Sequence, residues 1–217
     1  MNFIIIGHKG RLGSQIYEKA KQTHNVIGIE KDEDIFNLEN YDFDAIIDVS
    51  SPENSVKSAD FAEKHNIPLI VGCTGHTKTQ IDTILSKSER IPVMICPNFS
   101  IGICVLCEAL KQILKAPITD AYITELHHKN KNDSPSGTAK LLENILKDKT
   151  NLHETKSIRQ GKIVGKHRID LYMENEHIVL SHSAESRECF ADGAVFALVH
   201  IARKPAGIYE LRDFLDI

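Results

Sequence analysis

The segment Glu125-Leu126-His127-His128-Lys129-Asn130-Lys131-Asn132-Asp133-Ser134-Pro135-Ser136-Gly137-Thr138-Ala139 concentrates side chains that carry and exchange protons. His127 or Lys131 can deliver a proton to a substrate being reduced, because each holds a transferable hydrogen that burial and neighbours can tune. Immediately downstream, Ser134 is placed to cap a helix with Pro135 in its first position. The N–H groups near Ser136, Gly137 and Thr138 would then form an anion seat, and glycine there lets a ligand approach closely. A carboxylate suits that seat. The pair His127-His128 also raises the question of a metal. Adjacent strand residues face opposite sides, however, no third ligand or H-E-x-x-H spacing is visible, and the lysines repel a cation, so no metal is expected. The bland alternative is a solvated basic loop before a capped helix; the adjacent anion seat favours chemistry.

A second constellation lies near the start. Gly7-His8-Lys9-Gly10-Arg11-Leu12-Gly13 forms G-x-x-G-R-x-G directly after the apolar run Phe3-Ile4-Ile5-Ile6 and opens a helical pattern. Glycines here allow a sharp turn and close approach to a pyrophosphate, whose charge then meets the free N–H groups of the helix start. His8 and Lys9 add positive charge to this loop. Glu30, at the end of the next apolar run, can accept hydrogen bonds from adenosine ribose hydroxyls, which favours NADH; Lys31 beside it could instead meet a 2′-phosphate, which leaves NADPH open. Three more turns carry small, polar or proline residues: Ser50-Ser51-Pro52, Gly72-Cys73-Thr74-Gly75 and Pro97-Asn98-Phe99-Ser100. Beyond the carboxyl ends of parallel strands, such turns line a ligand crevice.

To hold these groups the chain must fold as alternating elements. Apolar runs at 3–6, 26–29, 45–49, 67–71 and 93–96 read as buried parallel strands, and amphipathic stretches at 11–23, 53–65 and 78–90 as crossover helices. The expected fold is therefore α/β, a Rossmann-like doubly wound parallel sheet. After residue 99 the texture changes. A helix at 101–114 leads to alternating segments at 119–126, 157–164, 167–173 and 177–182, with a helix at 135–149 between the first two and a last helix at 189–202. Alternation predicts a second α+β domain whose mixed or antiparallel sheet has one covered face. The expected division is 1–98 with 192–217 for dinucleotide binding, and 99–191 for substrate binding and oligomerisation.

Composition narrows the remaining classes. The 217 residues suit one large domain or two modest ones. Hydrophobic residues at 41% with charged residues at 26% exclude a disordered or fibrous chain. A net charge of -4 argues against non-specific nucleic-acid binding. No apolar run approaches a membrane span and no export pattern opens the chain, so a cytoplasmic protein is expected. The five cysteines, including the lone C-x-x-C of Cys104 and Cys107, are expected as reduced packing residues.

The segment E-x-H-H-x-x-K-x-D-x-P-S-G-T at 125–138, taken with G-x-x-G-R-x-G at 7–13, resembles the 4-hydroxy-tetrahydrodipicolinate (dihydrodipicolinate) reductase family. The resemblance extends to 72–75, to 97–100, to Ser186-Arg187 with 190–194, and to 204–209, so nearly the whole chain is covered. It implies hydride transfer from NADH or NADPH to a cyclic imine with two carboxylates, giving tetrahydrodipicolinate in the diaminopimelate route of lysine biosynthesis. By motif position it implies His127 as acid/base residue and Lys131 as proton donor, with His128, Lys131, Ser136, Gly137 and Thr138 holding the carboxylates. Gly7, His8, Lys9, Gly10, Arg11, Leu12, Glu30, Gly72, Cys73, Thr74, Cys96, Pro97, Asn98 and Phe99 match nucleotide-binding positions. A homotetramer built through the second sheet is implied as well. Ser134 stands where the family often has alanine, a change expected to improve the helix cap. Competing readings are another NAD(P)H-dependent imine reductase on the same fold and a non-catalytic dinucleotide-sensing module.

Overall fold

The run Phe3-Ile4-Ile5-Ile6 shows no polar alternation because both faces of its strand are covered: Phe3, Ile4 and Ile5 have no exposed surface. In a computed structural model, which describes residues 1–30, 32–38 and 42–217, this strand is the second from the edge of a six-stranded sheet. The strands are β1 (Asn2–Ile6), β2 (Asn25–Ile29), β3 (Ala45–Asp48), β4 (Leu69–Val71), β5 (Pro92–Ile95) and β11 (Gly207–Tyr209), in the order β11-β5-β4-β3-β1-β2. Every pairing is parallel. Crossover helices α1 (Arg11–Ala20), α2 (Pro52–His65) and α3 (Lys78–Ser86) join the first strands. Local chemistry starts them: the Ser51 hydroxyl accepts the Asn54 N–H with Pro52 in the first turn, and Thr77 with Gln80 forms a reciprocal cap. Ile4, Ile46, Leu69 and Val93 from the strands pack with Phe61 and Ala62 of α2 and Ile84 of α3. The sheet belongs to a compact unit of Met1–Phe99 with Phe190–Asp216, which includes most of α6 (Glu188–Ile201).

Ser100–Cys189, with Ile217, forms the other compact unit. Its sheet runs β10 (His177–Ala184), β9 (Gly165–Tyr172), β6 (Asp120–His127), β7 (Asn151–Leu152), and β8 (Lys156–Arg159) also pairs with β6. β9 is antiparallel to β6 and β10, whereas β7 and β8 run parallel to β6. Here the strands do alternate. Gly165, His167, Ile169 and Leu171 of β9 point to the face covered by α4 (Ile101–Ile113) and α5 (Gly137–Leu146), whose Leu106, Leu110, Leu142 and Leu146 complete the core. Tyr122, Tyr172 and Val179 stay exposed.

Two expectations change, and one strand lies where the sequence signals none. α5 begins at Gly137, two residues later than the Ser134 cap requires, because the Ser136 hydroxyl accepts the Ala139 N–H and is the cap. The extended segment expected at 157–164 ends as a strand at Arg159. The closing residues hold β11, which pairs with β5 at the sheet edge and carries too few apolar residues to stand out.

Candidate active site

The loop after β1 is shaped by what its residues lack. Gly7 has φ +80°, a conformation open to glycine, and its N–H donates to the Ile29 carbonyl at 2.7 Å. A Cβ on Gly13 would stand 2.0 Å from the Gly7 carbonyl oxygen. No side chain caps the start of α1 at Gly10, so the N–H groups of Arg11, Leu12 and Gly13 have no partner within the helix. A pyrophosphate fits this cradle, with the positive end of the helix behind it.

Glu30 follows β2, and its Oε1 accepts the Lys9 N–H at 2.9 Å and lies 3.0 Å from His8 Nδ1. The His8 ring packs over Gly28, where a Cβ would be 2.5 Å from it. His8 is thus engaged with the acidic residue, a role its spacing in the loop does not announce. Lys31 lies outside the described residues.

The other expected cofactor positions gather beyond β4 and β5, adjacent strands of the sheet. Thr74 and Pro97 are exposed, and Asn98 is half-buried. Gly72 has no room for a side chain because the Phe99 ring would be 2.7 Å from its Cβ, and Phe99 is itself buried. Cys96 is buried with its thiol donating to the Asn98 carbonyl at 3.2 Å. Cys73 lies 2.9 Å from the Ser55 hydroxyl and 3.6 Å from His76 Nε2, and burial pushes its thiol pKa up. Phe99 and Cys96 therefore shape these turns from the buried side, with Cys73 half-buried beside them.

In the other unit the site is built from charge. Glu125 and His127 stand two residues apart on β6 and share its covered face. Glu125 has no exposed surface. Its Oε1 accepts from Arg159 Nη2 at 2.7 Å and from the Ser136 N–H at 3.2 Å, while Oε2 lies 2.7 Å from His127 Nδ1, off the line of an ideal hydrogen bond. Burial raises the Glu125 pKa, but the donors from Arg159, Ser157 and Ser136 outweigh it and hold the group at about 2. The Ser136 hydroxyl, besides capping α5, lies 3.3 Å from His167 Nε2. Burial lowers the pKa of His127, and Lys131 and Arg159 add to the effect against the opposing pull of Glu125. Burial and the neighbouring His127 bring His167 down to about 4.

Lys131 Nζ lies 2.8 Å from Asp133 Oδ1. His128, just beyond the strand, has Nε2 3.3 Å from Arg187 Nη2. The anion seat is narrower than the sequence implies. The Ser136 N–H is committed to Glu125 and the Gly137 N–H meets the Asp133 carboxylate, while a Cβ at exposed Gly137 would meet nothing within 4 Å.

Sequence reading missed Arg159 and His167. Only sheet register brings them in, by pairing His127 with Arg159 and Glu125 with His167. Glu125, by contrast, is signalled by its two-residue spacing from His127. The donor atoms of Glu125, His127 and His167 fall within 4.8 Å of one another, so the third group that the sequence does not reveal is present. Arg159 already holds the Glu125 carboxylate, and a cation entering there would meet its charge and that of Lys131.

A glycine-turned helix start at the carboxyl edge of a doubly wound sheet is the dinucleotide site of that fold, and the second unit carries a proton-bearing cluster of its own. The class is a nicotinamide-dependent oxidoreductase. The family model described as "Dihydrodipicolinate reductase, N-terminus" matches residues 1–99, and "Dihydrodipicolinate reductase, C-terminus" matches residues 102–215. The chain is 36% identical over 219 aligned positions to a 4-hydroxy-tetrahydrodipicolinate reductase of Thermosipho africanus, covering 99% of this chain and 98% of the relative. It is 34% identical to a reductase of the same name from Campylobacter jejuni, with 98% of each chain covered. Among solved structures, a dipicolinate-bound dihydrodipicolinate reductase from Paenisporosarcina sp. TG-14 superimposes with a TM-score of 0.80 at 19% identity, covering 96% of this chain and 97% of that one, a likeness of fold. The chain belongs to the dihydrodipicolinate reductase family.

Proposed function

We propose that the chain is a 4-hydroxy-tetrahydrodipicolinate reductase, reducing a cyclic imine dicarboxylate to tetrahydrodipicolinate in the diaminopimelate route of lysine biosynthesis. The observation that carries this reading is the joint placement of Lys131, buried His127 and the start of α5, where the Gly137 N–H already meets an anion, the Asp133 carboxylate. NADH or NADPH, when bound, supplies the hydride. The parallel-sheet unit holds that cofactor: Gly7, Gly10 and Gly13 leave room for the pyrophosphate, the N–H groups of Arg11 and Leu12 meet its charge, and Glu30 accepts from the ribose. Residues 72–74 and 96–99 frame the nicotinamide end.

The mixed-sheet unit holds the ring. The start of α5 at Gly137 and Thr138 receives one carboxylate in place of the Asp133 carboxylate that now meets the Gly137 N–H, and His128 with Lys131 meets the other. Ser136 acts by fixing that helix start, since its own N–H and hydroxyl are engaged. The reduced ring needs one proton. His127, with its pKa lowered from 6.5, presents a lone pair at neutral pH, so Lys131 delivers the proton and His127 accepts a hydrogen bond or relays the replacement.

We further infer a homotetramer joined through the open face of the mixed sheet, where Tyr122, Tyr172 and Val179 are exposed side by side with charged Arg168 and Asp170. A cytoplasmic location accords with the reaction, and no helix among the described residues is long and apolar enough to cross a membrane. The test is oxidation of NADH and of NADPH with the freshly formed condensation product of pyruvate and aspartate semialdehyde, with dipicolinate as competitor. Turnover that dipicolinate suppresses is expected. Cofactor binding without turnover would leave only a dinucleotide-sensing module, and turnover indifferent to dipicolinate would point to a different imine.

A further inference from the structure

We propose that Glu125 is a positioning residue for the reaction: its sealed carboxylate decides which nitrogen of His127 carries the proton and ties the start of α5 to the same strand. In its kinetic consequences this rests on the reductase reading; in its structural half it does not.

One carboxylate serves three elements. Oε1 receives Arg159 of β8 at 2.7 Å and the Ser136 N–H at the start of α5 at 3.2 Å, and Oε2 faces His127 Nδ1 of β6 at 2.7 Å. Two lone pairs cannot face each other at that separation, so Nδ1 carries the hydrogen and Nε2 keeps the lone pair. Nε2 points where a Cβ at residue 165 would come within 3.0 Å, so Gly165 keeps that nitrogen unobstructed. The groups facing His127 from the surrounding elements are Lys131 in the following loop, Arg159 on β8 and His167 on β9, besides Glu125 itself. Glu125 is the one anion among them. Its removal leaves the imidazole among cations, which drives the proton off more readily. The same change releases the Ser136 N–H, so the helix start and the imidazole are set by one group.

The test is Glu125→Gln, which keeps the shape and removes the charge. We expect kcat to fall about 10–100-fold, by analogy with the losses when a metal-bound histidine is deprived of the partner that orients it. The limb of the pH–kcat profile that belongs to His127 should move to lower pH. In a His127→Gln background the same substitution should cost little more, because it acts through the imidazole. An unchanged kcat and pH profile would overturn the proposal, and so would an equal loss in both backgrounds, which marks structural support alone. Should the variant fail to fold, imidazole nitrogen shifts of 15N-labelled wild-type protein decide the matter. A hydrogen on Nδ1 of His127 supports the assignment and a hydrogen on Nε2 overturns it. That measurement uses no turnover, so an inert wild-type enzyme would reject the reductase reading while leaving Glu125 judged separately.

Discussion

Asp48 and Glu125 are both carboxylates without exposed surface, one at the end of β3 in the parallel sheet and the other inside β6 of the mixed sheet, yet their acidities move in opposite directions. Asp48 is met by neutral donors, the Ser50 N–H at 2.8 Å and the Ser50 and Ser58 hydroxyls at 2.6 Å each, and burial wins: its pKa is raised. Glu125 has Arg159, and its pKa falls to about 2. Neutral hydrogen bonds satisfy a buried carboxylate, but a cation is needed to keep it ionised. The contrast extends to the two sites. The parallel-sheet unit makes its cradle from backbone and missing side chains, whereas the mixed-sheet unit makes its site from charges held out of water.

The sharpest challenge to that contrast is Lys131→Ala. Turnover should drop about 10²–10⁴-fold, the usual worth of a positioned proton donor, while cofactor affinity measured by nucleotide fluorescence stays near wild type. Loss of cofactor binding in this variant would mean that the two units do not divide the work between nucleotide and proton.

Next in size is Arg159→Ala, which strands the Glu125 charge. A loss of about 3 kcal/mol in denaturant unfolding is expected, at the low end for a broken buried pair because Arg159 keeps some exposure. Ser58→Ala removes one of several neutral donors to Asp48 and should cost about 1 kcal/mol. Equal costs would dissolve the distinction between the two carboxylates.

Acid should act on the mixed-sheet unit first. His167 has its pKa lowered from 6.5 to about 4, so the unfolded chain binds a proton that the folded state refuses. Its contribution to stability is full above pH 6.5 and is lost as pH falls toward about 4; Glu125, ordinarily near 4.5, loses its contribution between there and about 2. Asp48 has the opposite sign, and its contribution improves as acid protonates it. Melting temperatures taken between pH 7 and pH 4 should therefore fall, and His167→Gln should flatten that fall. A slope unchanged by the substitution would place the acid sensitivity elsewhere.

The smallest effect belongs to the backbone-built site. Glu30→Gln should weaken NADH several-fold, on the scale of one hydrogen bond to a charged group, and NADPH less. Equal weakening would mean that Glu30 serves mainly to hold the Lys9 N–H and His8.

Much of this was legible in the chain because the determinants are local. The glycine loop, the apolar runs and the segment from His127 to Thr138 each lie within one turn or one strand-to-helix connection, where spacing translates directly into geometry. The start of α5 was displaced because Ser134 and Ser136 are equally good caps by type; a distant carboxylate accepting the Ser136 N–H accompanies the choice. β11 was missed because its pairing with β5, rather than its own composition, makes it a strand. His8 reads from the sequence as positive charge in the glycine loop, and its contact with Glu30 depends on β2 lying beside β1.

The order of residues by itself determined where the chain turns, which helix start lacks a cap and which side chains can carry a proton, since each of these follows from covalent neighbours and their intrinsic shapes. The protonation state of those side chains was decided elsewhere. Arg159 and His167 reach Glu125 and His127 through strand register, and burial in the folded sheet removes the water that would otherwise level their differences. A pKa is a property of surroundings, and surroundings exist only once the strands have paired.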